Sequence, residues 1–154
     1  MKVFLATILL SSFSLYSPPK IADRSDERKK VETELSKEQI FEQVDKLPFK
    51  YPDLIKQQIL LESSHLRSDI ALNNNNICGM RQAKQRITTA IGSRKGYAVF
   101  SDVSSCLLDR LLYEATYLED KNREEYLQFL NETYSSGDGK YCEVLLGIKI
   151  AQKR

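Results

Sequence analysis

One glutamate at the end of an apolar helix is the clearest candidate for chemistry in this chain of 154 residues. Tyr51-Pro52-Asp53 predicts a helix start, because proline is tolerated in the first turn and aspartate favours the positive end of the helix dipole. Ile55, Ile59 and Glu62 then recur at spacings of four and three, which places the carboxylate on an apolar stripe. Poor solvation there raises the pKa of a carboxyl group, as a general acid working near neutral pH requires.

An asparagine and glycine turn follows this helix, and a hairpin-like segment follows the turn. The turn reads Asn74-Asn75-Asn76-Ile77-Cys78-Gly79-Met80-Arg81, and the later segments are Thr88-Thr89-Ala90-Ile91-Gly92 and Gly96-Tyr97-Ala98-Val99-Phe100-Ser101. Together with Leu61-Glu62-Ser63, this ordered set resembles the active-site core of bacterial peptidoglycan N-acetylglucosaminidases of glycoside hydrolase family seventy-three, in their Bacteroidetes-type form. The resemblance covers most of residues 36–154.

This resemblance implies a fold, a reaction and a set of site residues. The implied fold is a mostly α-helical, lysozyme-like domain with a small β-hairpin at the cleft. The implied reaction is cleavage of β-1,4 glycosidic bonds in peptidoglycan glycan strands, on the N-acetylglucosaminyl side. Glu62 takes the position of the family's catalytic glutamate, and we predict Tyr97 as its catalytic partner. The predicted substrate-binding residues are Asn75, Asn76, Gly79, Arg81 and Phe100.

The second catalytic group is where the sequence departs from the family pattern. Many members place another glutamate in the hairpin, yet no residue from Ile70 to Ser101 is acidic. We expect Asp102, just outside this gap, to cap the next helix, and Asp69 to interact with nearby backbone or with Arg67. The predicted mechanism therefore has Glu62 as acid, with the substrate's N-acetyl group or a water held by Tyr97 completing the displacement.

The acid-free segment concentrates positive charge, although the whole chain has a net charge of only +2. We expect a basic cleft that attracts the carboxylates of peptidoglycan and stacks sugars on Tyr97 and Phe100. The alternative is an ordinary solvated hairpin. The nearly balanced overall charge argues against a nucleic-acid partner. The basic residues are Arg81, Lys84, Arg86, Arg94 and Lys95.

Two other functions stay open at this point. A lytic transglycosylase also needs one glutamate and no second carboxylate. A wall-binding module could have kept the fold without activity. His65 is the chain's single histidine, so no histidine-based metal cluster can form, and we predict no metal and no other cofactor.

The N-terminal segment predicts export. Residues 1–17 have the charge, length and order of a secretory signal peptide, and they are too short for a comfortable membrane span. A retained signal anchor is the alternative, because no A-x-A cleavage site is present. Residues 18–34 read as a charged linker, and residues 35–154 as one domain. We therefore expect the protein in the periplasm, the cell envelope or the extracellular space, without a stable membrane span unless the anchor persists.

The remaining helices follow from caps and periodicity. Ser36 and Gln39 form a capping box, with a staple from Leu35 to Ile40, for a first helix through about Leu47. Asp138 is predicted to cap the last helix. A third helix is predicted from a buried stripe of Leu107, Leu108, Leu111, Leu112, Ala115 and Leu118, and a fourth from Tyr126, Phe129 and Leu130.

The cysteine count is odd, so an exported chain keeps at least one free thiol. We expect Cys78 to pack as a small apolar residue. A bridge between Cys106 and Cys142 is possible on sequence grounds alone.

Overall fold

The computed structural model describes residues 35–134 and 139–150, and this part of the chain is mostly helical. The predicted mostly α fold with a small hairpin is confirmed. The signal segment, the linker and Asp138 lie outside the described residues. No described helix is both long and apolar enough to cross a membrane. The elements are α1 Lys37–Lys46, α2 Pro52–Glu62, α3 Asp69–Asn74, β1 Gly92–Arg94, β2 Tyr97–Val99, α4 Val103–Tyr117, α5 Arg123–Tyr134 and α6 Tyr141–Gly147.

The predicted helix starts at α1 and α4 are confirmed. Ser36 Oγ accepts from the Gln39 amide at 3.2 Å, and the Gln39 side chain accepts from the Ser36 amide at 2.7 Å. Asp102 accepts from the Ser105 amide at 2.7 Å and so caps α4. Each bond satisfies a backbone donor that would otherwise lack a partner at the helix end. The N-cap position of α6 is Lys140.

Helix α2 lies between two hydrophobic clusters, and this fixes the position of its last residue. Ile55 and Ile59 are fully buried in the first cluster, which also receives side chains of α1, the hairpin and the start of α4. Leu54 is fully buried in the second cluster, together with Leu145 of α6 and side chains of α5. The predicted stripe of α2 is therefore confirmed, and Glu62 ends a helix held from both sides.

A left-handed turn follows Glu62 directly. Ser64, His65 and Leu66 have φ values of 50°, 57° and 67°. Left-handed backbone costs roughly 1–2 kcal/mol per residue for L-amino acids, so the turn needs compensating bonds. The Ser63 carbonyl supplies two of these by accepting from the Arg67 and Ser68 amides, each at 2.9 Å. The chain thereby reverses towards α3 immediately after the glutamate.

Strands β1 and β2 pair antiparallel, with Gly92 opposite Val99 and Arg94 opposite Tyr97. The connection is the two-residue turn Lys95-Gly96, and both residues have positive φ, 53° and 79°. A type I′ turn requires this conformation at both positions. The turn fixes the register that places Tyr97 at the start of β2.

The buried face of α4 differs from the predicted leucine stripe. Leu107 and Leu118 are buried as expected, but Leu108 is 44% exposed and Ala115 is exposed. Three charged residues of this helix are buried instead, because each finds hydrogen-bond partners inside the protein. These residues are Asp109, Arg110 and Glu114.

All three cysteines are free, so the possible bridge between Cys106 and Cys142 is absent. Cys78 is buried in the first cluster, as predicted. A hydrogen bond shared with Cys106, together with burial, raises the pKa of the Cys78 thiol, which keeps it protonated. The Cys142 thiol instead donates to the Leu127 carbonyl at 3.0 Å.

Candidate functional site

Glu62 lines a cleft of about 510 Å³. Ligand sites in proteins commonly have volumes of roughly 300–1,000 Å³, so the cleft can hold part of a small polymer. Three other predicted site residues share it, namely Gly79, Arg81 and Tyr97. The rest of the lining is Met80, Gln82, Ala83, Lys84, Arg86, Tyr113, Tyr117, Thr133 and Tyr134.

The carboxyl group of Glu62 is held in a partly dry environment. Burial raises its pKa, and a hydrogen bond donated by the Tyr141 hydroxyl to Oε1 at 2.7 Å partly opposes that rise. The net shift is upward, which confirms the predicted desolvation. Glu62 therefore keeps its proton to higher pH than an exposed glutamate would, and can act as a proton donor.

Gly79 lies directly against this carboxyl group. Its φ is +63°, and a Cβ atom at this position would lie 2.7 Å from Glu62 Oε2 and 3.2 Å from Glu62 Cβ. Any other residue would therefore be strained and would also displace the glutamate. Gly79 acts here by its lack of a side chain.

The asparagines of the turn bind backbone, which corrects the predicted role of Asn75 and Asn76 in substrate binding. Asn76 is 0% exposed; its amide donates to the carbonyls of Met80 and Ala98 at 2.8 and 2.9 Å, and its Oδ1 accepts from the Met80 amide at 2.9 Å. Asn75 has left-handed backbone and donates to the carbonyls of Phe100 and Ser101. These bonds tie the turn to β2 and hold Gly79 in place.

Phe100 does not line the cleft, so the predicted stacking of a sugar on its ring is wrong. It is 1% exposed and packs in the first hydrophobic cluster. Tyr97 does line the cleft, and its ring lies 5.4 Å from the Arg81 guanidinium. The other aromatic rings of the lining are those of Tyr113, Tyr117 and Tyr134, which the sequence pattern did not assign to the site.

The basic segment divides into two parts in the structure. Arg81, Lys84 and Arg86 line the cleft. The hairpin residues Arg94 and Lys95 are not among the described lining, and their charges lie near Asp69 at 3.9 and 2.8 Å. The predicted partners of Asp69 are therefore wrong, since it pairs with the hairpin across the turn.

Arg86 also departs from the picture of a solvated basic face. Its guanidinium forms a two-bond pair with Asp109 at 3.0 and 2.6 Å, and both side chains are nearly or fully buried. Burial would raise the pKa of Asp109, but hydrogen bonds from Arg86 and Thr88 outweigh it and lower that pKa. Arg86 therefore contributes structure to the cleft wall, which leaves Arg81 and Lys84 as its exposed cations.

The sequence analysis also missed Tyr141, the direct partner of Glu62. Tyr141 is the first residue of α6, and its ring stacks on Tyr134 of α5 with centroids 5.4 Å apart. Burial and the neighbouring Glu62 charge raise the pKa of Tyr141, so its hydroxyl stays a donor. A separation of 79 residues gives no local pattern that could have revealed this pair.

No family model, curated protein or solved structure matches this chain. The resemblance to the glucosaminidases therefore rests on the residues quoted above. Within the described ranges, no three His, Cys, Asp or Glu side chains come together in a way that could hold a metal ion. The metal-free mechanism stays a prediction.

Proposed function

We propose that this protein is an exported peptidoglycan hydrolase that cleaves β-1,4 glycosidic bonds of the glycan strand as an N-acetylglucosaminidase. A lysozyme-like fold is part of the same proposal. The observation that carries it is Glu62, a carboxyl group with a raised pKa that lines a cleft large enough for sugar rings. A glycosidase needs such a group to protonate the leaving oxygen.

The remainder of the lining suits a carbohydrate bearing negative charge. Tyrosine rings offer flat apolar faces with a polar edge, the surface that sugar rings pack against. Arg81 and Lys84 add positive charge beside them, and the lactyl and stem-peptide carboxylates of peptidoglycan carry the opposite sign. An electrically neutral glycan would lack this attraction between opposite charges.

The attacking group is assigned to the substrate or to water. Neither Asp69 nor Asp102 suits the role, because Asp69 is paired with Lys95 and Asp102 caps α4. Within the described cleft lining, Glu62 carries the single carboxylate. In this mechanism Glu62 donates its proton to the glycosidic oxygen as the bond from that oxygen to the anomeric carbon breaks. A water held by Tyr97 attacks the anomeric carbon directly, or the substrate's N-acetyl group attacks it first and forms an oxazolinium ring that water then opens. In both cases the proton lost by the water replaces the one that Glu62 gave.

A lytic transglycosylase is the second candidate, and the same single carboxylate favours it. That reaction needs one acid and base group, because a hydroxyl of the muramic acid itself attacks and leaves an anhydro end. The two reactions therefore differ in their products and not in the residues that the cleft requires.

Product analysis on purified sacculi tests the proposal. The protein should release soluble fragments, with N-acetylglucosamine at the new reducing ends. Fragments that have lost the mass of one water and carry anhydro-muramic ends would select the transglycosylase. Binding to sacculi without any soluble release would select an inactive wall-binding module.

A further inference from the structure

A chain of hydrogen bonds leads from Glu62 into the protein interior. Tyr141 Oη, which donates to Glu62, accepts from Gln58 Nε2 at 3.2 Å. Gln58 Oε1 accepts from Arg110 Nη2 at 2.8 Å. Gln58 is 3% and Arg110 1% exposed, so the bond between them is shielded from water, while the two bonds of Tyr141 are partly buried. The cleft carboxyl is thereby connected to a buried positive charge on α4.

The chemistry of arginine fixes the direction of every bond in this chain. A guanidinium only donates hydrogen bonds and does not lose its proton in proteins. Gln58 must therefore turn its carbonyl oxygen towards Arg110, which leaves its NH₂ group facing Tyr141. An NH₂ group only donates, so the Tyr141 oxygen must accept from it. The one hydroxyl hydrogen of Tyr141 is then left for Glu62.

The other side of Arg110 is anchored in the same way. Arg110 Nη2 also donates to the Tyr126 hydroxyl at 2.7 Å, and Tyr126 donates to Glu114 Oε2 at 2.7 Å. The second Glu114 oxygen accepts from the Lys50 amide at 2.6 Å. Arg110 Nη1 has no hydrogen-bond partner in the described part of the chain. The guanidinium is thus held between Gln58 on one side and Tyr126 on the other.

We propose that Arg110 and Gln58 are positioning residues that act through Tyr141, directing its hydroxyl onto Glu62 and so setting the protonation of the cleft acid. The inference rests on the proposed function of Glu62 as the acid. Neither Arg110 nor Gln58 is part of the described cleft lining, so neither is assigned a contact with substrate. Burial accounts for the upward pKa shift of Glu62. The chain of hydrogen bonds from Arg110 through Gln58 and Tyr141, called the relay below, limits that shift by stabilising the carboxylate.

The other titratable and charged groups near Glu62 are the same in all the variants below, so their effect on the pKa of Glu62 cancels when variants are compared with the parent. Burial is the largest cause of the raised pKa of Tyr134, and the hydrogen bond with Cys106, followed by burial, is the largest cause for Cys78. The charge of Glu62 lies close enough to raise both pKa values further. The remaining titratable or charged groups of the cleft lining are Arg81, Lys84, Arg86, Tyr97, Tyr113 and Tyr117.

The test is a carbon NMR titration of Glu62 in the full-length chain labelled at its glutamate carboxyl carbons, with Glu62→Gln identifying the resonance. Tyr141→Phe should raise the pKa of Glu62, because it removes the donated hydrogen bond. Gln58→Met should also raise it, because Tyr141 loses the donor that orients its hydroxyl. In the Tyr141→Phe background, Gln58→Met should add no further rise, since Gln58 acts through that hydroxyl.

The matched control is Gln57→Met, which makes the same change one residue away. Gln57 is partly buried and donates to the Ile148 carbonyl at 3.0 Å, outside the relay. It should leave the Glu62 titration unchanged. If Gln58→Met proves unfolded, Gln58→Asn keeps an uncharged amide but shortens the side chain, so that it cannot reach both Tyr141 and Arg110, and it should raise the pKa of Glu62 too.

An unchanged Glu62 titration in folded Gln58 variants would overturn the relay, as would a rise of equal size with and without Tyr141. The titration needs no turnover. A chain that releases nothing from sacculi but shows the expected shifts would therefore refute the proposed function and leave the relay standing.

Discussion

Glu62 lies in an environment whose net effect disfavours its charged form. Burial removes much of the water that would solvate the anion, and the hydrogen bond donated by Tyr141 offsets only part of that loss. Gly79 leaves room for the carboxyl group, because a Cβ atom there would lie 2.7 Å from Glu62 Oε2. A protein gains no stability from a carboxylate placed in this way. The arrangement makes sense if the protonated form is the one that is used.

The first prediction concerns stability and pH at this residue. The folded-state pKa of Glu62 lies above its ordinary value of 4.5, so the folded protein binds more protons than the unfolded chain as the pH rises through that interval. The contribution of Glu62 to the free energy of unfolding therefore falls with rising pH. Glu62→Gln should melt near the parent temperature below pH 4.5, and above it at pH 7.

Thermal melts across this pH range provide the measurement. Exposed Glu143 on the same domain gives the control, since Glu143→Gln should change the melting temperature little at any pH. A Glu62→Gln difference that stays constant from acid to neutral pH would contradict the raised pKa.

A second prediction separates the ring of Tyr97 from its hydroxyl. Tyr97→Phe keeps the aromatic face and its contact with Arg81 but cannot position water or the N-acetyl group. We expect turnover to fall by about a hundredfold, with binding to sacculi unchanged, because the hydroxyl would act in the reaction and not in binding. Weaker binding at unchanged turnover would instead make Tyr97 a stacking residue.

Single residues could be predicted where local chemistry decided their role. The partial burial and raised pKa of Glu62 followed from its stripe on α2, and the capping role of Asp102 from its place before an apolar run, while the catalytic role of Glu62 stays a prediction. The roles of Asn76 and Phe100 were wrong because their type and spacing suit substrate contact equally well. Only the folded chain shows that both side chains are buried, and that Asn76 donates to the carbonyl of Ala98 in β2.

At the scale of elements, the segment between the turn and β1 is held in place by α4. Asp109 accepts from Arg86, from Thr88 Oγ1 at 2.6 Å and from the Thr89 amide at 3.1 Å. Four donor atoms from three residues thus converge on one buried carboxylate. The cleft wall that carries Arg81 and Lys84 owes its position to this anchor.

The third prediction tests that anchor. Arg86→Ala leaves Asp109 buried without its ion-pair partner, and breaking such a pair typically costs about 3–5 kcal/mol of the free energy of unfolding. Lys84→Ala removes the same charge from an exposed position of the same segment and should cost less than about 1 kcal/mol. Urea denaturation of both variants provides the comparison. Equal costs would show that Arg86 is solvated, as in the alternative of an ordinary solvated hairpin.

Helix α4 also shows why its buried face could not be predicted. The apolar periodicity indicated a leucine stripe, yet the helix turns charged side chains inwards. Arg110 and Asp109 are tolerated there only because Gln58, Tyr126 and Arg86 come from other parts of the chain to bond them. Binary patterning cannot anticipate partners that tertiary structure supplies.

At the scale of the whole molecule, the cleft is assembled from the end of α2, the turn, β2, α4 and α5. The sequence motif covers the first three, and these were largely predictable. The tyrosines of α4 and α5 carry no motif and enter the site through packing alone. This is why the basic side of the cleft was expected while most of its aromatic side was not.

A fourth prediction concerns the charge of the assembled cleft. Replacing both Arg81 and Lys84 by alanine should weaken binding to sacculi at low salt and flatten its salt dependence, because exposed charges are screened within roughly 10 Å at about 0.1 M ionic strength. The control replaces Lys46 and Lys95, two mainly exposed lysines outside the described lining. Cosedimentation with sacculi at several salt concentrations measures both pairs, and matching salt curves would remove the electrostatic part of the proposal.

The most direct test of the central claim is the rate at which purified sacculi release soluble fragments with Glu62→Gln. The amide matches the carboxyl in size and still accepts from Tyr141, but it cannot give up a proton, and losing a general acid typically costs a factor of about a hundred or more. We predict that loss with normal folding and sacculus binding, and parent-like release from Glu143→Gln. Near-normal release by Glu62→Gln would contradict the assignment of Glu62 as the acid and the function built on it.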